Sequence, residues 1–211
     1  MKAVAANQQP MSSTKPSDAD LLRLMAAGDE AAFVRLYKRN QAAVYRFALL
    51  MSGAPNIAEE VTQEVFMALI REPHRYDSAR GPLSGFLYGV ARNHVLRVLQ
   101  RERHYVQLPD ESDDVAGGES LISLTDPFSD CDRHEVIKLV RQAVLSLPPR
   151  YREVVVLCDF QELSCAAAAV ALDCPVGTLN SRLHRAHSLL LKKLRTRSLG
   201  SAANAELKCF A

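Results

Sequence analysis

The chain has no tryptophan, and aromatic residues make up only 6% of its 211 positions. Ala and Leu abound instead, which points to packed helices. Glycine and proline are sparse outside a few joints, which excludes fibrous and low-complexity classes. No apolar run reaches the length of a membrane span, so direct membrane insertion is not expected. The segment Met1 to Pro16 lacks the apolar stretch of a secretory signal and reads as a disordered leader. The five cysteines (Cys131, Cys158, Cys165, Cys174 and Cys209) contain no CxxC pair. Their odd number and wide spacing argue against a disulfide framework or a zinc site and fit a reducing cytoplasm. No strand alternation and no solenoid period is present. Paired catalytic carboxylates, a Gly-rich phosphate loop and a nucleophile elbow are likewise missing, so the expectation is a non-enzyme without cofactor or metal.

Neither basic nor acidic residues are in large excess. The 26 basic and 24 acidic residues leave a net charge of +2, which by itself says nothing about nucleic acid. Their distribution does. Between Val106 and Asp132 stand Asp110, Glu111, Asp113, Asp114, Glu119, Asp126, Asp130 and Asp132, with no Lys or Arg. With Gly117-Gly118 and two prolines, this stretch reads as an acidic, extended linker.

On either side lie helical patterns. Ser17 and Asp20 form a candidate capping box before a short helix that stops at Gly28. A helix from about Asp29 to Ser52 follows, then one from about Ile57 to Arg71 capped by Asn56, and Pro73 breaks it. A turn-rich loop runs from Pro73 to Pro82, and a further helix from about Leu83 to His104. After the linker, helices are expected from about Arg133 to Ser146, Arg150 to Phe160, Ser164 to near Asp173, and Pro175 to Leu194, with a frayed tail. The resulting fold class is all-α, with two small helical domains at 17–105 and 133–197, a leader at 1–16, a linker at 106–132 and a tail at 198–211.

Two helices carry chemistry. In the last one, Leu179, Leu183, Ala186, Leu190 and Leu194 make an apolar stripe, while Ser181, His184, Arg185 and Ser188 make a polar one. With the short capped helix before it, this is a helix-turn-helix, whose hydroxyl, imidazole and guanidinium groups suit phosphates and major-groove base edges. In the helix from Leu83, Leu87, Ala91, Val95 and Val98 can face a core. Asn93, Arg97, Gln100, Arg101 and His104 recur along the other face without an acid among them. Either stripe, taken alone, is also what an ordinary solvated helix face looks like.

The run Leu147-Pro148-Pro149-Arg150-Tyr151-Arg152-Glu153-Val154-Val155-Val156-Leu157, then Leu163-Ser164, then Cys174 to Ala186, resembles region 4 of extracytoplasmic-function (ECF) sigma factors, members of the sigma-70 family. Ala58 to Phe66 resembles their region 2.2, and Phe86 to Asn93 resembles regions 2.3 and 2.4. The resemblance implies a factor that binds RNA polymerase core, through its β and β′ subunits, and directs promoter recognition, melting and initiation. Glu60, Gln63 and Glu64 would face the polymerase. Arg80, Phe86, Tyr88, Arg92, Asn93, Arg97 and Arg101 would meet the −10 promoter DNA. Thr178, Asn180, Ser181, Arg182, His184 and Arg185 would read the −35 element. It also implies an anti-sigma factor as partner, wedged between the two domains, and an acidic linker passing along the RNA exit path.

The sequence departs from the family's pattern in two places. Phe86 stands where the melting segment usually has Trp, and Gly89 where a basic residue is more typical. The helix before the final turn, usually acidic and larger, is Cys165-Ala166-Ala167-Ala168-Ala169. A helix-turn-helix regulator that never touches polymerase stays open as the alternative at this point.

Overall fold

The computed structural model describes residues 16–105 and 131–208, with side chains from 16 to 101 and from 136 to 195. The leader, the linker from 106 to 130 and the side chain of His104 lie outside the described residues. Every regular element among the described residues is helical: α1 (Asp18–Ala26), α2 (Glu30–Ser52), α3 (Pro55–Arg71), α4 (Leu83–Tyr105), α5 (Cys131–Leu145), α6 (Pro149–Val155), α7 (Cys165–Ala171) and α8 (Val176–Lys208).

Local chemistry sets the boundaries. The Ser17 hydroxyl accepts from the Asp20 amide at 3.2 Å while the Asp20 carboxylate accepts from the Ser17 amide at 3.3 Å, the expected capping box of α1. The Asp29 carboxylate accepts from the Ala32 amide to start α2, and Gly53, left-handed at φ 76°, ends it. The Ser164 hydroxyl accepts from the Ala167 amide at 3.2 Å and starts α7. Asp173 takes φ 50° at the far end. The Cys174 amide donates to the Ala169 carbonyl and the Asp173 amide to that of Val170, a Schellman closure that makes the tight turn into α8. Because α7 has only seven residues, its cap matters. Ser164→Ala is expected to cost about 0.5–2 kcal/mol, measurable as a lower denaturation midpoint at constant m-value.

Several boundaries differ from expectation. Asn56 is not the cap of α3; Pro55 is already the first helical residue, where its missing N–H costs nothing, and Ala54 is an N-cap without a side-chain bond. α5 starts at Cys131, not Arg133, so the end of the expected linker is helical. α7 ends at Ala171. The expected helix from Arg150 to Phe160 is two elements, α6 and a π turn over Val156–Phe160, where the Gln161 amide donates five residues back to the Val156 carbonyl. Val154, Val155, Val156 and Leu157 are all buried, so this segment sits in the core on every side. α8 runs on to Lys208 where a frayed tail was expected; Ala-rich sequence without proline continues the helix past Gly200.

α2, α3 and α4 pack around Leu36, Val44, Phe47, Met51, Val61, Val65, Leu69, Leu87, Ala91 and Val95, all at most 1% exposed. Phe33, Tyr37 and Phe66 add an aromatic cluster, with the last two rings 4.8 Å apart and edge to face. The second group of helices closes around Val144, Leu147, Val154, Leu157, Leu179 and Ala186. The two cores are continuous: α4 packs on α7, and α2 packs on α5, α6 and the π turn.

Candidate nucleic-acid interface

α4 presents Asn93, Arg97, Gln100 and Arg101 to solvent, while Leu87, Ala91 and Val95 hold its opposite face in the core. The amphipathic spacing thus delivers an amide and guanidinium row on one side of a well-anchored rod. Before it, two 3₁₀ turns (Pro73–Arg75 and Ser78–Arg80) shape the loop, and Arg80, which ends the second, is exposed. The Tyr76 hydroxyl donates to the Gly81 carbonyl at 3.1 Å, and its ring lies 5.8 Å from that of Phe86. Phe86 therefore braces the base of the loop and is half-buried.

Tyr88 and Arg92 are placed differently. Tyr88 is 4% exposed, rests 5.3 Å from the Phe47 ring, and donates its hydroxyl to Gln161 Oε1 at 2.9 Å. Burial pushes its phenol pKa up. Arg92 Nε donates to Glu153 Oε2 at 2.6 Å. In this conformation both side chains are engaged with the second group of helices.

α8 shows the same division as α4. Leu179 and Ala186 are buried, and Asn180, Ser181, His184, Arg185 and Ser188 are exposed. Thr178 is half-buried near the start of the helix. Arg182 is half-buried too, its guanidinium 3.6 Å from Glu153 Oε1. A shallow depression lined by Tyr151, Ser181, Arg182, His184 and Arg185 runs beside this face. Behind it, His187 Nε2 pairs with Asp159 at 2.7 Å and ties α8 to the π turn.

On α3, Glu60 and Gln63 are exposed and Glu64 half-buried, all on the face away from Val61 and Val65. His94 of α4 lies near them. Its pKa is lowered by burial and then by Arg97, against an upward pull from Glu64 and Glu60. Among the described residues no group of His, Cys, Asp and Glu side chains is arranged to hold a metal ion. Burial pushes the Cys158 thiol up to about 11, so it is a poor nucleophile at neutral pH. No described helix is long and apolar enough to cross a membrane.

Comparison with known proteins fits this geometry. Residues 36–105 match Sigma-70 region 2, and residues 137–190 match Sigma-70 region 4. The ECF RNA polymerase sigma factor SigE of Mycolicibacterium smegmatis is 32% identical over 187 residues, covering 85% of this chain and 69% of the relative. The chain is an ECF sigma factor of the sigma-70 family. SigW of Bacillus subtilis is 29% identical over 181 residues, covering 82% of this chain and 95% of its own. Among solved structures, CnrH in complex with the cytosolic domain of CnrY shares the fold, with a TM-score of 0.63 at 23% identity over 86% of this chain and 99% of that one. The sigma factor RpoE of Bartonella quintana, in complex with the anti-sigma factor NepR, gives a TM-score of 0.59 at 21% identity over 77% of this chain and 96% of that one.

Glu153 is the residue that sequence reading passed over. It is 2% exposed and meets arginines from both α4 and α8. Its signal was present: it stands immediately before the apolar run Val154 to Leu157, and a buried carboxylate requires cationic partners.

Proposed function

We propose that this sigma factor binds RNA polymerase core through the exposed face of α3 at Glu60, Gln63 and Glu64, and directs initiation at promoters read by α4 and α8. The division of the chain is then 17–105 for polymerase and −10 binding and 133–197 for −35 binding, joined by the acidic linker and flanked by a leader and a tail. The observation that carries this reading is the pair of acid-free outward rows, Asn93, Arg97, Gln100 and Arg101 on α4 and Asn180, Ser181, His184 and Arg185 on α8. Such rows suit phosphates and base edges of one duplex. Arg80 and Phe86 belong to the −10 surface at the loop; Tyr88 and Arg92 join it once released from Gln161 and Glu153. Thr178 and Arg182 flank the −35 row.

The protein works in the cytoplasm, has no catalytic chemistry of its own, and takes an anti-sigma factor as a further partner. In the described conformation the faces between which such a partner would wedge are packed on each other, so a wedge has to part them first.

Run-off transcription with purified core on genomic promoter fragments tests the reading. Arg185→Ala and Arg97→Ala are each expected to cost about 1–3 kcal/mol, roughly 5- to 150-fold in promoter affinity, with relaxed preference at one base pair. A loss equal on every sequence would assign these residues to phosphate alone. No transcription and no capture of core by the wild-type chain would defeat the proposal.

A further inference from the structure

We infer that Cys158 and Cys165 are a redox-sensitive thiol pair, which a hydroperoxide closes into an intrachain disulfide that shifts the turn behind α8 and weakens reading of the −35 element. The disulfide is a matter of the second helical module (α5 to α8) alone. Its effect on promoters rests on the function proposed above.

The two cysteines meet because the chain doubles back between them. Cys158 lies in the π turn, and Cys165 is the first residue of α7. The Leu163 amide donates to the Leu157 carbonyl at 3.0 Å and the Gln161 amide to that of Val156, which pins the two arms side by side. Glu162 makes the reversal at φ 55°. Leu157 is buried and Leu163 packs on the same core, so neither arm is free to drift. Across this turn the Cys158 and Cys165 side chains are hydrogen-bonded to each other. Both are half-buried, within reach of a small oxidant. Closing to the roughly 2 Å of an S–S bond asks for rotation of two short side chains and a small shift of the turn. Cys174 is no rival partner for Cys165. It follows α7, whose seven residues alone span roughly 9 Å, beyond the separation of about 7 Å that a disulfide tolerates between Cα atoms.

The chemistry divides between the two sulfurs. Burial, and then Cys165 beside it, keep Cys158 a protonated thiol, so the first attack falls to Cys165. Its thiolate takes the terminal oxygen of the hydroperoxide; the O–O bond breaks, Cys165 becomes a sulfenic acid, and an alcohol or water leaves. The Cys158 sulfur then displaces the sulfenic oxygen as water, giving the S–S bond. Two electrons pass from the pair to the peroxide. A reducing compartment returns the bridge to thiols when the peroxide is gone.

The bridge acts on both supports of the recognition helix. Asp159 directly follows Cys158, and its carboxylate pairs with His187 Nε2 of α8 at 2.7 Å. His187 stands one turn along from His184 and two places from Arg185. Drawing Cys158 toward Cys165 carries Asp159 away from His187. On the other side, Ser164, whose hydroxyl caps α7 at Ala167, adjoins Cys165.

The test treats the full-length chain with hydrogen peroxide, removes the excess with catalase, and only then adds untreated core polymerase. Cys158→Ala and Cys165→Ala are run beside it, with a Cys174→Ala variant in which the tryptic peptide Glu153–Arg182 carries no third cysteine. Circular dichroism establishes that each variant is folded. The peptide is expected to become two hydrogens lighter on treatment and to recover with dithiothreitol. The concentration for half-maximal run-off transcription is expected to rise at least about fivefold for oxidised wild type and Cys174→Ala, the low end of the cost of one lost base contact. Dithiothreitol reverses the rise, and Cys158→Ala and Cys165→Ala do not show it. A peptide that keeps both thiols, or gains only oxygen, would overturn the pair. A disulfide that forms and leaves transcription unmoved would overturn its hold on promoter reading. A disulfide in a chain that transcribes neither oxidised nor reduced would leave the pair standing and remove the sigma reading instead.

Discussion

Arg152→Ala is expected to remove about 3–5 kcal/mol of folding stability. Among the described residues few side chains do as much. Its guanidinium donates through Nη1 to the Met51 carbonyl at 2.5 Å and through Nη2 to the Leu147 carbonyl at 3.0 Å, and also to the carbonyl of Leu145. Met51 lies in the last turn of α2 and Leu145 ends α5, so these are the carbonyls that a helix leaves without an internal partner. One planar cation satisfies helix ends from both modules at once. Alanine would strand all three acceptors in a packed environment, where each unpaired group costs about 1–3 kcal/mol before relaxation. Arg152→Lys restores a charge but not the fork, and should recover only part of the loss. Guanidinium denaturation of the full-length chain gives the measurement, with exposed Arg141→Ala expected within about 0.5 kcal/mol of wild type. A change below about 1 kcal/mol for Arg152→Ala would show that water replaces these bonds without penalty.

The contrast between Arg152 and the rows on α4 and α8 shows what a sequence carries. Period alone placed Leu87, Ala91 and Val95 inward and Asn93, Arg97 and Arg101 outward, and the structure agrees. The caps at Ser17 and Ser164 were equally legible, because each depends on residues three apart. The bonds of Arg152 to Met51, Glu153 to Arg92 and Gln161 to Tyr88 were not, because those partners lie far along the chain, before an acidic segment that hides which faces meet. Tyr88 is the intermediate case. The resemblance gave it a DNA-reading role, yet its position three and seven residues before Ala91 and Val95 puts it on the core side of α4. The π turn left no local signal either, since an unbroken apolar run from Val154 to Leu157 reads equally well as regular helix.

Phe47→Ala is expected to cost about 3–5 kcal/mol, against a total stability of about 5–15 kcal/mol for a domain of ordinary size. Phe47 is 0% exposed and is the largest of the fully buried side chains, so its removal leaves a cavity that α2 and α4 cannot fill without moving. Phe47→Leu keeps most of the volume and should cost under about 1.5 kcal/mol. The position also reaches beyond the first module. Its ring lies 5.3 Å from that of Tyr88, whose hydroxyl bonds Gln161 of the second. Truncation at 47 lets Tyr88 sink or rotate, and the hydroxyl then leaves Gln161. The variant should therefore lose stability and also loosen the contact between modules, whereas Phe47→Leu should spare both. Denaturation midpoints give the first effect. Amide exchange at Gln161 and Glu162, compared between the two variants, gives the second. Equal protection there in both would mean that the Tyr88 ring is held by α4 alone, and that the core of the first module and the contact with the second are energetically separate.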